Sequence, residues 1–425
     1  MKKIVFAFTM ICFLAFLTVP VLAGSPETYD SVVVGKSDPA YDVKVVQDAV
    51  DKGGVVLLKG TFDFGTDGRV NIKNDVKILG KTDNQGKPLT KIKGGFWTFH
   101  SPLPSQLPPE VPGPKITIQG IHFDGALWAP ILLAYSSGAT ITSNKITNVR
   151  PKVIDEPIFG KSGLNRQQGI VCSSSYVQPK KTRKYQPGSL TGLLTIADND
   201  IDMANEAPTK TLAQGVMVLW TTGVTAQILR NTVLNVSRNS IETLENFLGQ
   251  DGSGMIVIKD NKIVTPTVGI PVPSPATPDG IVAGWFLDIT GGADPVRNSK
   301  IVIMDNYIEA RGDTSIGIIL LSNGGVVASN NIVMKCGPKA IGVFQAGSDG
   351  FIANNDIKGS GLCAILVRPL KALKGSRNTI ALNKLSSFKS SMANVILKGD
   401  NNVVAGDCGK VVSAGKNNQI LGKKK

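Results

Sequence analysis

Eight times along this chain an alternating apolar stretch runs into Asn, any residue, and a branched aliphatic residue. The phrases are TITSNKI (Asn144, Ile146), TIADNDI (Asn199, Ile201), QILRNTV (Asn231, Val233), VIKDNKI (Asn261, Ile263), VIMDNYI (Asn306, Ile308), VASNNI (Asn330, Ile332), ANNDI (Asn355, Ile357) and ALNKL (Asn383, Leu385). Successive Asn residues lie 55, 32, 30, 45, 24, 25 and 28 positions apart. A short phrase repeated at that spacing is the mark of a solenoid. The shortest intervals are one turn of it, and the longer ones are a turn plus loops. Its units are runs of three to five residues in period-2 alternation, too short and too β-branched for helices. The fold class is therefore all-β, a parallel β-helix. Roughly eleven three-strand coils, at about 4.8 Å each, give a column on the order of 50 Å long. A bend between strands needs left-handed backbone geometry, which Asn tolerates, so each Asn is expected to be the bend residue itself. Stacked Asn side chains would also hydrogen-bond along the column, as amide ladders do in cross-β stacks.

A solenoid exposes an apolar end that must be covered. Residues 24–68 supply the cover: Tyr41 to Asp51 places Val43, Val46, Ala49 and Val50 on one face of a short helix, Gly53-Gly54 stops it, and VVLLKGTFDF begins the first coil. The β-helix with its loop insertions then occupies 69–425. Residues 1–23 stand apart from the fold. Lys2 and Lys3 precede an apolar run from Ile4 to Val19, then Pro20 and Val21-Leu22-Ala23, the pattern of a secretory signal peptide cleaved after Ala23. A secreted or periplasmic monomer with no membrane span is the expectation.

The net charge of +14 suits acidic partners such as acidic polysaccharide or a cell-envelope glycan, or serves solubility alone. Nothing resembles a nucleic-acid recognition helix or a basic–aromatic strip, so nucleic acid is not expected. Cys172, Cys336, Cys363 and Cys408 have neither metal-site spacing nor the density of a disulfide framework, and read as buried thiols, with one disulfide possible.

Third strands recur as GIVCSSS, GVMVLW, SIETLEN, GIVAGWF, SIGIILLS, AIGVFQA, AILVRP and NVILKG. Aligned on aliphatics, their inward pairs are Ile170/Cys172, Val216/Val218, Ile241/Thr243, Ile281/Ala283, Ile316/Ile318, Ile341/Val343, Ile365/Val367 and Val395/Leu397. The outward partners, among them Val171, Met217, Glu242, Ile319, Phe344, Leu366 and Arg368, are unusually apolar for a face meant to meet water. One position further on, successive coils present Ser174, Trp220, Glu245, Trp285, Leu320, Gln345 and Pro369. Two indoles flanking a carboxylate suit a sugar ring, which stacks its apolar face and hydrogen-bonds through its hydroxyls; packing beneath loops is the competing explanation. Long connections at Arg150–Gln168, Ser174–Leu190, Met203–Gln214, Thr265–Asp279 and Asp288–Ser299 border this sheet. The candidate catalytic carboxyls are Glu242, Glu245 and Asp288. Trp220, Trp285, Arg166 and Arg368, with Lys161, are candidate substrate contacts. His122 alternates with Ile121 and Phe123 and is expected to face solvent.

The helix-Gly-Gly-VVLL opening, the phrase ITIQGIHFDG at Ile116–Gly125 and the Asn-x-Ile bends together resemble the pectate-lyase-like superfamily of right-handed parallel β-helices, over almost the whole chain past the leader. The resemblance makes the fold a right-handed parallel β-helix and implies an exported protein acting on acidic polysaccharide, as a polysaccharide lyase, with calcium as cofactor, or a glycoside hydrolase. Its catalytic signatures do not carry over. Arg368 and Arg150 are each followed directly by Pro, outside the lyase Arg-x-Pro-x-x-Arg context. His100 and His122 lie outside a Gly-His-Gly phrase, and no Asp-Pro-His-Asp phrase occurs. A non-catalytic surface, adhesion or structural shaft is the alternative.

Overall fold

The computed structural model describes residues 28–102, 111–153, 165–174, 189–203, 211–267, 277–284 and 298–422. Its strands form three long sheets of 14, 13 and 11 members. Consecutive strands of the chain pass from the first sheet to the second to the third and pair in parallel with their counterparts one coil away, as Thr225–Leu229 does with Met255–Lys259; Lys152–Val153 instead pairs antiparallel with Asn165–Ser173. The shortest sheet has eleven strands, so the described residues complete eleven coils of a parallel β-helix. The signal peptide and the final three lysines lie outside the described residues.

Many strands of the first two sheets alternate in burial, with aliphatics such as Ala226, Ile228 and Ile263 inside and Thr225, Gln227 and Lys262 outside. Short strands with one dry face need this period-2 pattern and little else. The inward residues stack coil on coil into one core that runs from Val33 to Cys408. The helix Pro39–Lys52 closes its N-terminal end, burying Val46, Ala49 and Val50, with Val43 packed at the margin. Asp38 caps this helix by accepting from the N–H groups of Ala40 and Tyr41, and Gly53 ends it at a φ of 72°.

All eight Asn residues stand in one column at the corner between the first and second sheets. From Asn144 to Asn383 each side-chain amide donates to the Oδ1 of the next Asn, at 2.9–3.1 Å. The same Oδ1 also accepts the backbone N–H of the preceding Asn. The bend itself is made by a different residue from the one expected. Left-handed φ values of 52–58° belong to Ser143, Asp198, Arg230, Asp260, Asp305, Ser329, Asn354 and Leu382, each immediately before its Asn. The two tasks need different side-chain directions: the bend residue points out of the helix, and the Asn must point in to reach its neighbour. A second column, Asn378–Asn402–Asn418, repeats the device in the last coils behind left-handed Arg377, Asn401 and Asn417.

The four described cysteines are free. Burial pushes the thiols of Cys172, Cys336 and Cys363 up to about 12. No helix among the described residues is long and apolar enough to cross a membrane.

Asn306 sits mid-column, and Asn383 ends it. Replacing Asn306 by Ala leaves buried donors and acceptors unpaired on both sides, at about 1–3 kcal/mol for each group left without a partner. Asn306→Ala should therefore lower the urea midpoint clearly more than Asn383→Ala. Equal shifts would show that the column is not cooperative.

Candidate functional site

The third sheet departs from the other two because its strands are buried on both faces. Asn239–Leu244, Asp279–Gly284, Ile341–Gln345 and Cys363–Val367 contain no exposed residue. Its strands also begin earlier than the sequence suggests. Asn165–Ser173 and Thr211–Leu219 each extend into a stretch expected to be loop. The reason is a glycine step. Gly215 and Gly280 sit where an added Cβ would lie 2.4 and 2.3 Å from a carbonyl oxygen of the next coil, and the in–out alternation shifts by one residue there. The residue before the step therefore faces outward. Ile316 and Ile341, expected inside, join an outer apolar cluster. The register pairs Ile281 with Ile318 and Val343, and Ala283 with Leu320 and Gln345, so Leu320 and Gln345 face inward rather than following Trp220 and Glu245.

In the middle coils the same outward position, ahead of the step, is polar. Gln168 pairs with Gln214, Gln214 with Asn239, and Asn239 with Asp279. The side chains form a directed chain: the Trp128 indole N–H donates to Gln168 (2.7 Å), Gln168 to Gln214 (2.9 Å) and Gln214 to Glu242 (2.6 Å). The Asn239 amide also donates to the same Glu242 oxygen, at 2.5 Å. Every donor points toward the carboxylate, the polarity in which such chains strengthen one another. Asp279, one coil on, accepts from the backbone N–H of Ile316 and the Thr277 hydroxyl. Burial drives its carboxyl up to about 7 against those bonds and the pull of Arg238. The two carboxyls thus occupy different settings: Glu242 collects amide donors, and Asp279 holds a proton near neutrality.

Around this line lies an apolar cluster on the outer face, including Leu132, Val171, Met217, Leu244, Val282, Trp128 and Trp220. Three tryptophans occupy left-handed backbone at its corners, Trp97 (φ 49°), Trp128 (69°) and Trp220 (55°). For so bulky a residue this is an outlier costing about 1–3 kcal/mol, and such strain gathers at functional sites. Glu245, one coil after Trp220, is left-handed too and buried.

The structure brings Trp220, Glu242 and Glu245 onto adjacent coils of this face, and all three are buried. Arg166 is buried at the start of its strand, two coils before Glu242 and some five residues back along the strand direction, roughly 19 Å by strand geometry. Arg368 is exposed and falls in the outward column of Leu244, Gly284 and Leu321, five coils past Trp220's strand, about 24 Å away. Trp285, Asp288 and Lys161 lie outside the described residues, as do most of the long connections. His122 is half-buried on the second sheet, its Nε2 2.8 Å from the Thr147 hydroxyl, and burial together with Lys91 lowers its pKa. The described residues contain no group of three His, Cys, Asp or Glu placed to hold a metal. Sequence reading missed Gln168, Gln214, Asn239, Asp279, Trp97 and Trp128. The recurring QGI, QGV, NSI and DGI at strand starts was the available signal for the first four.

No protein-family model matches the chain, and no curated protein matches it. Among solved structures it is similar to the A-module of the mannuronan C-5 epimerase AlgE6 of Azotobacter vinelandii, at 13% identity over 89% of this chain and 97% of that one, with a TM-score of 0.42. It is also similar to PfbA, a surface adhesin of Streptococcus pneumoniae (12% identity, 84% and 90% covered, TM-score 0.44). A third is the alginate lyase AlyF-OU02 (11% identity, 94% and 87% covered, TM-score 0.41). The fold assignment stands on the sheet pairing itself.

Asp279 gives the site a pH signature. An acid whose folded pKa lies above its unfolded value holds a proton that the unfolded chain releases, so stability falls as pH rises from about 4 through about 7. Asp279→Asn removes that loss. The melting temperature of the variant should gain on the parent between pH 5 and pH 8, and a constant difference across that range would show that Asp279 is ionised throughout.

Proposed function

We propose that this chain is an exported, carbohydrate-interacting β-helix that engages acidic polysaccharide along the outer face of its third sheet. The observation that carries the reading is the set of three tryptophans, each held in strained left-handed backbone at the corners of that one face. Packing alone is served at lower cost by the smaller residues, Ser, Asp and Asn, found at many other left-handed corners. In this reading Trp220 stacks on a sugar ring, Glu242 and Glu245 supply two carboxyl groups from the next coil, and Arg166 and the net positive charge favour an acidic chain.

The finer form of the proposal is a polysaccharide lyase or a glycoside hydrolase. Hydrolysis uses two carboxyls in unlike protonation states, about 5 Å apart in retaining and 6.5–9.5 Å apart in inverting enzymes. Glu242, which accepts two amide hydrogens, and Asp279, one coil on and held by burial to a pKa of about 7, are the two described carboxyls this reading would use. A second reading, a non-catalytic surface or adhesion shaft, is favoured by one observation: Trp220, Glu242 and Glu245 are all buried. A catalytic carboxyl must meet its substrate.

Incubating the protein with a panel of uronate polysaccharides, with and without calcium, and measuring new unsaturated and reducing ends separates the two. An enzyme yields product that Glu242→Gln abolishes while binding persists. Binding with no product from any member of the panel identifies the shaft. Trp220→Ala should weaken binding about fivefold or more in either case, since an aromatic stack is worth roughly 1 kcal/mol, and full binding by that variant would remove Trp220 from the site.

A further inference from the structure

At the N-terminal end of the third sheet, coils one to four place Arg69, Phe96, Trp97, Trp128 and Lys152 beside one another at the corner that leads into the sheet. Phe96 and Trp97 stack at 4.8 Å with 21° between their planes, and Trp128 lies 6.0 Å from the first ring and 5.0 Å from the second. The Arg69 guanidinium rests 4.6 Å from the Phe96 ring and 4.8 Å from that of Trp97, and the Lys152 ammonium lies 4.2 Å from Phe96. Arg69 is tethered by its Nε to the Phe96 carbonyl. Neither cation forms an ion pair with any described carboxylate, and among the described acids Asp67 is the one whose charge registers on Arg69. His100 lies against Trp97, ring centroids 5.1 Å apart.

Two polar atoms here are buried without a hydrogen-bond partner among the described residues: Trp97 Nε1 and His100 Nε2. The other imidazole nitrogen, Nδ1, faces Asn71 Oδ1 at 3.3 Å. With its proton on Nδ1, His100 offers Nε2 as a bare acceptor. Burial, assisted by Arg69, holds His100 down to about 3, so the ring is neutral at ordinary pH. Among the described residues the cluster therefore combines two cations without an ion-pair partner, an indole donor without an acceptor, an imidazole acceptor without a donor, and aromatic faces over which the Arg69 and Lys152 side chains lie. Unsatisfied buried groups are rare enough in folded proteins to need a reason. A simple anion would answer the cations and leave the ring faces and His100 unused. A neutral sugar would do the reverse.

We propose that this cluster is a uronate-binding subsite, in which a sugar carboxylate pairs with Arg69 and Lys152, the pyranose face stacks on the aromatic shelf, and hydroxyl groups engage Trp97 Nε1 and His100 Nε2. The proposal rests on the acidic-polysaccharide reading above and assigns it a second point of contact. Arg69 must swing off the rings to admit the sugar. That exchanges a cation–π contact for a charge-assisted, two-pronged bond to a carboxylate, the stronger of the two interactions.

The test is a nitrogen-15 NMR titration of the tryptophan-labelled protein, which has four Trp residues, with the Trp97 and Trp128 indole signals assigned from Trp97→Phe and Trp128→Phe. The probes are a galacturonate trisaccharide, a mannuronate trisaccharide and, as the neutral control, mannotriose. The Trp97 signal should move with at least one uronate and not with mannotriose. Arg69→Gln and Lys152→Gln should each weaken that response about tenfold, as loss of one charge-assisted bond does, and added salt should weaken it in the parent. Lys152→Gln decides the matter should Arg69→Gln disturb folding, which a thermal melt reports. A uronate that shifts other indole signals but leaves Trp97 still overturns this subsite and spares the wider reading. Indoles unmoved by either uronate overturn both.

Discussion

The buried amide column is the constraint on which the rest of the molecule depends. Each Asn in it spans one coil spacing, giving its Nδ2 hydrogens to the next Oδ1 and to backbone carbonyls such as Ile258 O and Met304 O, while its own Oδ1 takes two donors from the Asn before. All the amides point the same way along the axis, so each bond polarises the next. An amide displaced by one residue would leave buried donors and acceptors empty on both neighbours, a cost no short strand of the first sheet could offset. The column thereby sets the register of every coil, and register decides which residues of the other two sheets share a face.

That dependence explains what could be read from the chain and what could not. The Asn phrase carries its own phase, so the fold and the Asn column were legible from side-chain chemistry alone, though the bend itself fell one residue earlier than expected. The cap helix was legible for a similar reason, since Val43, Val46, Ala49 and Val50 have only one face to bury. The backbone was harder. Asp198 or Arg230 in left-handed geometry looks, in sequence, like any surface residue beside an Asn, because the strain lies in φ and not in composition. The third sheet defeated the period-2 rule locally. The glycine step changes the parity of Ile316 and Ile341, so an alignment made on aliphatics alone put both on the wrong side. The N-terminal aromatic cluster was invisible for another reason: Arg69, Phe96, Trp97, Trp128 and Lys152 come from four coils, and only stacking makes them neighbours.

A β-helix needs one apolar face per strand, and the first two sheets have one. The third has two. Its outer face holds two separate apolar clusters, one from Trp128 to Val282 and one from Leu321 to Ile396, with the Gln168–Gln214–Asn239–Asp279 line beside the first. Burying amides and carboxyls costs free energy unless every group is paired, and replacing such a network by aliphatics is often neutral or stabilising. Solenoid stability therefore gives no reason for the line to exist. The coils further along show the cheaper solution, because Ile316, Ile341 and Cys363 occupy the same position there.

The polar line is thus confined to the coils where the strained tryptophans also sit, and the two features have the same logic. Each sacrifices stability locally on a scaffold that has it in reserve from eleven stacked coils. The direction of the chain adds a further point. Trp128, at one corner of the sheet, is linked through two amides to Glu242 at its middle, so a change in the hydrogen bonding of the indole alters the donor strength presented to the carboxylate two coils beyond Gln168. A glycan seated against the N-terminal aromatic cluster would contact Trp97 and Trp128, which are 5.0 Å apart.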